Sequence, residues 1–336
     1  MRIIPKFLRE TAAEFFYNMK GGDTVRYVGI DIGGTKCAVV FGTETGEVQE
    51  KISFATTNKE ETLQQIFAVI KKQRGFASIG VSCGGPLDEK NGIILSPPNL
   101  PGWNQVAIKS MLEGAFGVPA GLRNDANACA MAEWRFGAGK GTQNMVFLTF
   151  GTGLGAGIIC NGRLYSGANG FAGELGHIRL DSFGPAGYGK MGSFEGFCSG
   201  GGLAELGKML AREAMQRGEN PFCCRDGLEK ITAASLARAA REGDSCAKKA
   251  FALCGRQLGT GLAIVIDLLN PELIIIGSVF ARCRDLLEEE MQRVLRREAL
   301  PQALEACRIT VPALGENIGD AAALAVAAEV YDEKNR

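Results

Sequence analysis

The chain has 336 residues, with 37 basic and 37 acidic side chains, one histidine, 11 cysteines and 46 glycines. Its length suggests two domains, each large enough to bury its own core. The balanced charge argues against a nucleic acid or an anionic membrane as a partner, because both are bound by a surplus of Lys and Arg. Glycine is roughly twice as frequent as its average usage of about 7%, which indicates many turns or close backbone approaches.

The cysteines and the N-terminal segment are typical of a protein of the reducing cytoplasm. The cysteines are scattered, odd in number and without a CxxC pair, so we interpret them as reduced thiols that mostly behave as small buried hydrophobic residues. Residues 1–23 form an N-terminal extension without the apolar core of a secretory signal, and residues 1–22 are compatible with a short amphipathic helix. The longest apolar stretch, residues 261–279, is interrupted by Asp267 and Glu272, which argues against a membrane span. We therefore expect a soluble, cytoplasmic protein with no membrane partner.

An internal repeat organises the chain. Residues 27–40 and residues 145–160 each contain an apolar, β-branched run, a turn rich in Gly and Thr, and a second apolar run. This pattern predicts a strand, a tight turn and a second strand. Asp31 in the first copy aligns with Thr149 in the second, an offset of 118 residues. Repetition at that distance indicates a duplicated domain rather than a solenoid.

Around the two copies, helical and strand patterns alternate along the chain. In chain order they predict a helix at 59–75, a strand at 77–82, a helix at 125–137, helices at 202–217, 232–242 and 244–267, a strand at 272–277, and helices at 283–298 and 319–333. The alternation predicts an α/β fold of two duplicated lobes with an active-site cleft between them. We assign residues 24–123 to the first lobe, completed by a C-terminal helix at 317–333, and residues 124–316 to the second.

Three glycine-rich turns follow apolar strands, at residues 33–36, 151–155 and 277–278. Backbone N–H groups in such turns converge on an anion, and glycine leaves room for phosphate oxygens. Asp31, at the end of the strand before the first turn, fits a residue that holds Mg²⁺ beside the phosphates, either directly or through water. A plain hairpin is the alternative for any one turn, but two duplicated turns favour a nucleotide. The dinucleotide fingerprint and the P-loop motif do not occur in the right context, so a Rossmann dehydrogenase and a P-loop kinase are poor fits.

A specific combination of motifs extends over nearly the whole chain after residue 24. The segments are DIGGTK at 31–36, PNLPGW at 98–103, NDANACAMAEWRFGAGKG at 124–141, FLTFGTGLGAGIICNGRLYSGANGFAGELGHIRL at 147–180, NPELIIIGS at 270–278 and IGDAAALAVAA at 318–328. Together they resemble the ROK family (repressor, open reading frame, kinase), the bacterial sugar-kinase branch of the actin-like ATPase superfamily. The resemblance implies two actin-like (ribonuclease H-like) lobes, in agreement with the internal repeat.

The resemblance also implies roles for individual residues. Asp125 matches the family's catalytic base, and one carboxylate that orients a sugar hydroxyl and accepts its proton is what phosphoryl transfer requires. The alternative for Asn124 and Asp125 is a helix N-cap, and both roles can hold at once. The implied sugar contacts are Gly85, Asn99, Asn124, Glu174, His177 and Glu195. The residues assigned to ATP are Asp31, Gly33, Gly34, Thr35, Lys36, Gly151, Thr152, Gly153, Gly277 and Ser278, with Asp31 as the Mg²⁺ ligand.

The chain departs from the family at a structural zinc site. Most members hold zinc with a histidine and three cysteines, and those cysteines are replaced here by Ala186, Tyr188 and Ser193. Because structural zinc requires its full ligand set, we predict that His177 alone holds no zinc. We expect the loop to keep its shape through packing of Tyr188 and Phe194.

The activity that the resemblance favours is an ATP- and Mg²⁺-dependent kinase of a hexose, with glucose phosphorylated at the 6-hydroxyl. N-acetylmannosamine and N-acetylglucosamine are the nearest alternatives, and a β-glucoside, allose or fructose remains open. A non-catalytic sugar-sensing regulator is the alternative of another class. Too few residues precede the first turn for the winged helix-turn-helix of the family's repressors, so we expect no nucleic-acid partner. The resemblance alone implies a homodimer.

Overall fold

The protein is described by a computed structural model that covers residues 25–315 and 318–336; the extension at 1–23 and the helix considered for 1–22 lie outside the described residues. The strands are β1 (Arg26–Ile32), β2 (Lys36–Thr43), β3 (Val48–Ala55), β4 (Ser78–Cys83), β5 (Leu87–Asp88), β6 (Ile93–Ile94), β7 (Ala120–Asn124), β8 (Met145–Phe150), β9 (Leu154–Cys160), β10 (Arg163–Leu164), β11 (Ala186–Gly187), β12 (Lys190–Met191), β13 (Leu273–Ile276) and β14 (Arg308–Thr310).

The α-helices of the described ranges are interspersed with these strands. They are α1 (Lys59–Lys71), α2 (Ile108–Phe116), α3 (Asp125–Phe136), α4 (Phe194–Phe197), α5 (Gly200–Gln216), α6 (Ala233–Arg241), α7 (Ser245–Leu269), α8 (Val279–Glu298), α9 (Pro301–Ala306) and α10 (Ile318–Lys334). Single 3₁₀ turns occur at Leu175–His177, Phe222–Cys224 and Leu228–Lys230. The helices and strands predicted from the pattern are all present, with ends that shift by a few residues.

The chain divides into two compact units. The first contains the described residues up to Lys140, Ser166–Gly170 and the described residues after Ala313, and the second contains Gly141–Tyr165 and Phe171–Pro312. The C-terminal helix α10 belongs to the first unit. So does α3, which packs against α10, and the first unit therefore extends to Lys140, whereas the sequence analysis assigned residues from 124 onward to the second lobe.

Each unit contains one five-stranded sheet, and the two sheets have the same topology. The strand order is β3-β2-β1-β4-β7 in the first unit and β10-β9-β8-β13-β14 in the second. In both sheets the first three strands are antiparallel neighbours and the last three run parallel. Asp31 and Thr149, aligned by the sequence repeat, both occupy the penultimate position of their strands, which agrees with the predicted duplication.

The core of the first unit depends on a close approach between α10 and the sheet. A Cβ atom at Gly29 of β1 would lie 2.8 Å from the Cβ of Ala323, and one at Gly80 of β4 would clash with the backbone of Ala323 and Ala327. Glycine in the strands and alanine on the helix therefore let the two backbones touch. Seven consecutive α10 residues after Ala321 are almost fully buried.

The core of the second unit is built around α7, which is buried along one face against α5, α6 and α8. Gly255 and Gly259 bring α7 close to the α8 backbone, since a Cβ at either position would lie within 2.7 Å of the carbonyl oxygen of Leu287 or Met291. Within the described residues, α7 is the one helix long and apolar enough to cross a membrane by length and composition. Half of its most apolar window is buried inside the protein, as in the core helix of a globular domain.

Candidate functional site

The carboxyl edge of the first sheet gathers several of the residues selected from the sequence. Parallel strands β1, β4 and β7 end together, with Asp31 beside Ser82 and Cys83 beside Asn124. Ligand sites in sheets of parallel strands lie outside these ends. The edge therefore presents Asp31 and the first glycine turn at β1, and Asn124 and Asp125 at β7.

The first glycine turn is fixed by its own backbone and by the loop that carries Asn99. The N–H of Gly33 donates to the carbonyl oxygen of Lys36 at 3.1 Å, and the hydroxyl of Thr56 donates to the carbonyl oxygen of Gly33 at 2.6 Å. A Cβ atom at Gly34 would lie 2.6 Å from the carbonyl oxygen of Asn99. Glycine is thus required at 34 by the fold itself, while the Thr35 and Lys36 side chains are exposed.

Asn124 and Asp125 begin helix α3. Asn124 is the N-cap, and its side-chain oxygen accepts a hydrogen bond from the N–H of Ala126 at 3.0 Å. The Asp125 carboxylate accepts from the same N–H at 2.8 Å and is accessible to solvent. Desolvation by the surrounding protein raises the pKa of Asp125, against the opposing effect of the hydrogen bonds from the N–H groups of Ala126 and Asp125 itself. The capping alternative and a carboxylate open to a ligand are both realised here.

Gly85 and Asn99 lie near this pair. A Cβ atom at Gly85 would lie 3.4 Å from Nδ2 of Asn124, and one at Gly84 would lie 3.6 Å from Nδ2 of Asn99. The sequence therefore selected side chains that the first unit does bring together. Their amide groups are the kind of donor that recognises sugar hydroxyls.

Asp31 lies in an unfavourable electrostatic environment. Burial, followed by the negative charges of Asp320 and Asp125, raises the pKa of Asp31 to about 6, although Lys51 and Lys36 oppose the shift. Lys51 is itself held by Asp320, with Nζ 2.5 Å from Oδ2. Mg²⁺ is commonly held by one or two carboxylates together with water and phosphate oxygens. Asp31 is the carboxylate that the sequence analysis assigned to that cation.

In the second unit, the second glycine turn lies next to Gly277 and Ser278. Strands β8 and β13 are parallel neighbours, and the N–H of Gly277 donates to the carbonyl oxygen of Leu148 at 3.0 Å. A Cβ atom at Gly151 would lie 3.7 Å from Oγ of Ser278. Ser278 has φ 52° and ψ −109°, a conformation that is strained for a residue with a side chain and is typical of functional sites. The Thr152 side chain is exposed.

The three second-unit residues assigned to sugar surround the same strand–turn–strand unit. Glu195 accepts a hydrogen bond from the N–H of Leu154 at 2.9 Å and would meet a Cβ atom at Gly153. The Cβ of Glu195 would lie 3.2 Å from a Cβ atom at Gly176. Gly176 belongs to the 3₁₀ turn Leu175–His177, which Glu174 precedes, and both Glu174 and His177 are exposed. The structure therefore connects Glu195 to both the second glycine turn and the segment GELGH.

The loop that lacks the zinc cysteines is held by hydrogen bonds. The Ser193 side chain is fully buried, accepts from the N–H groups of Gly187 and Gly196 at 3.2 and 3.1 Å, and caps α4. Lys190 donates to the carbonyl oxygen of His177 at 2.7 Å. No group of three or more His, Cys, Asp or Glu side chains suited to a metal ion occurs among the residues that the structure describes.

One expectation about this loop was wrong. Phe194 is fully buried, as predicted, but Tyr188 is 82% exposed. It lies at the tip of the β11–β12 hairpin with φ 46°, next to Gly189 with φ 73°, which is the conformation of a two-residue hairpin turn. The Tyr188 and His177 rings lie at a steep angle to each other, with centroids 6.5 Å apart. Because its side chain is exposed, Tyr188 contributes no core packing.

Two charged residues near the candidate site were missed in the sequence. Asp320 lies in the quoted segment IGDAAALAVAA but was read as part of an apolar helix, and Lys51 lies in the edge strand β3 without a motif. The first is 6% exposed and the second pairs with it. An acidic residue at the start of an otherwise apolar helix was the available signal for Asp320.

Comparison with known proteins identifies the family to which the chain belongs. The sequence profile of the ROK family matches residues 27–330. The chain belongs to the ROK family. This confirms the resemblance and, with the two duplicated sheets, the actin-like fold.

Individual relatives of this ROK protein fall into two functional groups. A glucokinase from Streptomyces coelicolor is 32% identical over 276 residues, which cover 80% of this chain and 87% of the relative. A xylose repressor from Caldicellulosiruptor bescii is 29% identical over 289 residues, 82% of this chain and 71% of the relative. The crystal structure of a ROK glucokinase from Streptomyces griseus in complex with glucose and AMPPNP superposes with a TM-score of 0.71 at 30% identity, covering 90% of this chain and 99% of that one. Family membership therefore supports a sugar-related function.

Proposed function

We propose that this ROK protein is an ATP-dependent sugar kinase that transfers the γ-phosphate to a hexose hydroxyl, with glucose to glucose 6-phosphate as the first choice. The observation that carries the proposal is the solvent-accessible Asp125 carboxylate at the start of α3, next to the cap residue Asn124 and at the same sheet edge as Asp31. A protein that only senses sugar has no need for both carboxylates.

The proposed chemistry follows from the carboxylate. Asp125 orients the sugar hydroxyl and accepts its proton as the oxygen attacks the γ-phosphorus; the new O–P bond forms, the bond to the β-phosphate oxygen breaks, and ADP leaves. The raised pKa of Asp125 makes it a stronger base than an ordinary aspartate. Asn99, Asn124, Glu174, His177 and Glu195, with the backbone at Gly85, would hold the other sugar hydroxyls.

The phosphates would be held by the two glycine turns, at 33–36 and 151–153, with Gly277 and Ser278 near the adenosine. Asp31 would hold Mg²⁺ directly or through water, and that cation would neutralise phosphate charge. The relatives support the same substrates, since the Streptomyces griseus glucokinase was crystallised with glucose and an ATP analogue. We also propose a cytoplasmic homodimer without structural zinc.

Two functions are alternatives to the phosphorylation of glucose: the phosphorylation of an N-acetylhexosamine, and the regulation of another process without catalysis. N-acetylmannosamine and N-acetylglucosamine share most hydroxyls with glucose, and the residues named above contact groups common to all three. A non-catalytic regulator is favoured by one specific observation, the repressor relative at 29% identity. The experiment below separates these functions.

A coupled assay of ADP release across a panel of hexoses and N-acetylhexosamines tests the proposal, with Asp125→Asn as the diagnostic variant. We expect kcat to fall by about 10²- to 10⁴-fold, the usual contribution of a general base, while the dissociation constant for sugar changes only a few-fold. Asp285→Asn is the control, because that carboxylate is half-exposed and pairs with Arg241 at the surface. Near-normal turnover in Asp125→Asn would contradict the mechanism, and sugar binding without ADP release in the parent protein would favour the regulator.

A further inference from the structure

Glu89, which no motif selected, holds the start of α3 from outside the helix. It follows strand β5, and its side chain is 7% exposed. A single carboxylate oxygen, Oε1, accepts two hydrogen bonds, from the N–H of Asn124 at 2.7 Å and from Nδ2 of Asn127 at 3.0 Å. The carboxylate thus contacts the N-cap residue and the third residue of the helix.

This arrangement performs the task of a capping box with a residue from another segment. In an ordinary capping box the side chain of the third helical residue accepts from the N–H of the N-cap. Here that residue is Asn127, which donates to Glu89 instead, and Glu89 accepts the N–H of Asn124. The negative charge also lies at the positive end of the helix dipole. The position of α3 relative to the loop after β5 is therefore set by one buried oxygen.

A longer ion pair reaches the other oxygen of Glu89. This oxygen, Oε2, is buried without a hydrogen-bond partner and lies 3.9 Å from Nη1 of Arg123, and Nη2 of Arg123 lies 2.8 Å from Oε2 of Glu329 on α10. Arg123 directly precedes Asn124 in β7. The chain Glu329, Arg123, Glu89 thus connects the core helix to the residues that begin α3.

We propose that Glu89 is a positioning residue that fixes the Asn124–Asp125 pair for sugar binding and phosphoryl transfer. The inference rests on the proposed function. Glu89 acts through the N–H of Asn124: with that contact in place, the Asn124 amide and the Asp125 carboxylate keep the orientation that a sugar hydroxyl requires. A misplacement of about 1 Å at such a group can lower the rate by about 10²-fold.

The test compares Glu89→Ala with Glu89→Gln. Because both hydrogen bonds go to one oxygen, the carbonyl oxygen of glutamine can accept both, so Glu89→Gln is expected to keep most of the activity. Glu89→Ala removes the acceptor and is expected to lower kcat/KM for sugar by about 10- to 100-fold, with the KM for ATP unchanged. Glu89→Asp, which keeps the charge but withdraws the oxygen by one methylene, should act like Glu89→Ala and replaces it if the alanine variant does not fold.

Glu133 provides a matched control on the same helix. Its buried carboxylate accepts from the N–H groups of Ala138, Ala313 and Leu314, but it lies eight residues beyond Asp125, about 12 Å along α3. Glu133→Ala should lower Tm without changing the sugar or ATP parameters at a temperature where the variant is folded.

Sugar affinity measured by calorimetry separates this inference from the kinase proposal. Weaker sugar binding in Glu89→Ala, with rescue in Glu89→Gln, supports the positioning role whether or not ADP is released. Sugar binding without turnover in the parent protein would contradict the kinase proposal alone. Unchanged sugar affinity and unchanged kcat in Glu89→Ala, or losses equal to those of Glu133→Ala, would overturn the role of Glu89.

Discussion

At position 31 the proposed function requires a carboxylate, whereas folding stability in the absence of a cation favours a neutral side chain. Its pKa is raised from 3.8 to about 6 by burial and by Asp320 and Asp125. Between these two values the folded protein binds a proton that the unfolded chain does not, so the unliganded protein gains stability as the pH falls through 6 towards 4. Ionised Asp31 at neutral pH then costs about 3 kcal/mol. A bound cation would offset this cost.

Asp31→Asn is therefore expected to raise the Tm of the protein at pH 7.5 in the absence of Mg²⁺, because a neutral amide removes the repulsion from the neighbouring carboxylates. The same variant should lose the Mg²⁺-dependent ADP release. Thermal unfolding at pH 5 and pH 7.5 checks the sign, since the advantage of the variant should shrink at the lower pH. A lower Tm for Asp31→Asn at pH 7.5 would show that Asp31 stabilises the fold.

At the scale of single elements, the β11–β12 hairpin and helix α4 are joined by Ser193, one of the residues at positions where the resemblance implies a zinc cysteine. The Ser193 hydroxyl satisfies two buried N–H groups, those of Gly187 and Gly196. Pro185 and Gly192 close the hairpin with a backbone hydrogen bond of 3.0 Å. The Ser193 hydroxyl, which is also the N-cap of α4, thus fixes this short loop.

Ser193→Ala should destabilise the protein by about 1–3 kcal/mol, because two buried donors lose their acceptor. Denaturant unfolding measures this loss, and Ser110→Ala is the control, since the Ser110 hydroxyl bonds only to a carbonyl oxygen at an exposed site. In the same measurement a chelator such as EDTA should leave the stability of the parent protein unchanged. About one zinc per purified chain, with a lower Tm in EDTA, would contradict the prediction of a zinc-free loop.

At the scale of the whole molecule, all 11 cysteines are free thiols, and their burial determines how fast they react. Six are buried, four are partly buried and Cys160 is exposed. Burial raises the pKa of the Cys83, Cys129 and Cys198 thiols, and thiols that stay protonated react slowly. Cys198 and Cys254 lie 3.9 Å apart at sulfur without a bond.

A chromogenic thiol reagent should therefore modify Cys160 rapidly in the native protein, the four partly buried cysteines slowly, and all 11 only after denaturation. Cys160→Ser should remove the rapid phase and leave the slow phase intact. A reducing agent should not lower Tm. Fast modification of several further thiols under native conditions would contradict the described cores.

The sequence by itself determined the duplication, the family and most of the elements, because these depend on local periodicity and on glycine-rich turns that neighbouring residues specify. It also selected Asp31, because the end of its strand can be recognised in the chain, and the family resemblance selected Asn124 and Asp125. That these residues share one edge follows from the parallel strands of the sheet. It did not select the short edge strand β14 or the helices α2 and α9, whose apolar patterns are brief. Only the tertiary structure decided which side chains serve the candidate site from a distance. Asp320, Lys51 and Glu89 lie 35 to 269 positions from their hydrogen-bond partners, and no local pattern encodes the contact of a buried carboxylate with a remote N–H group or ammonium group.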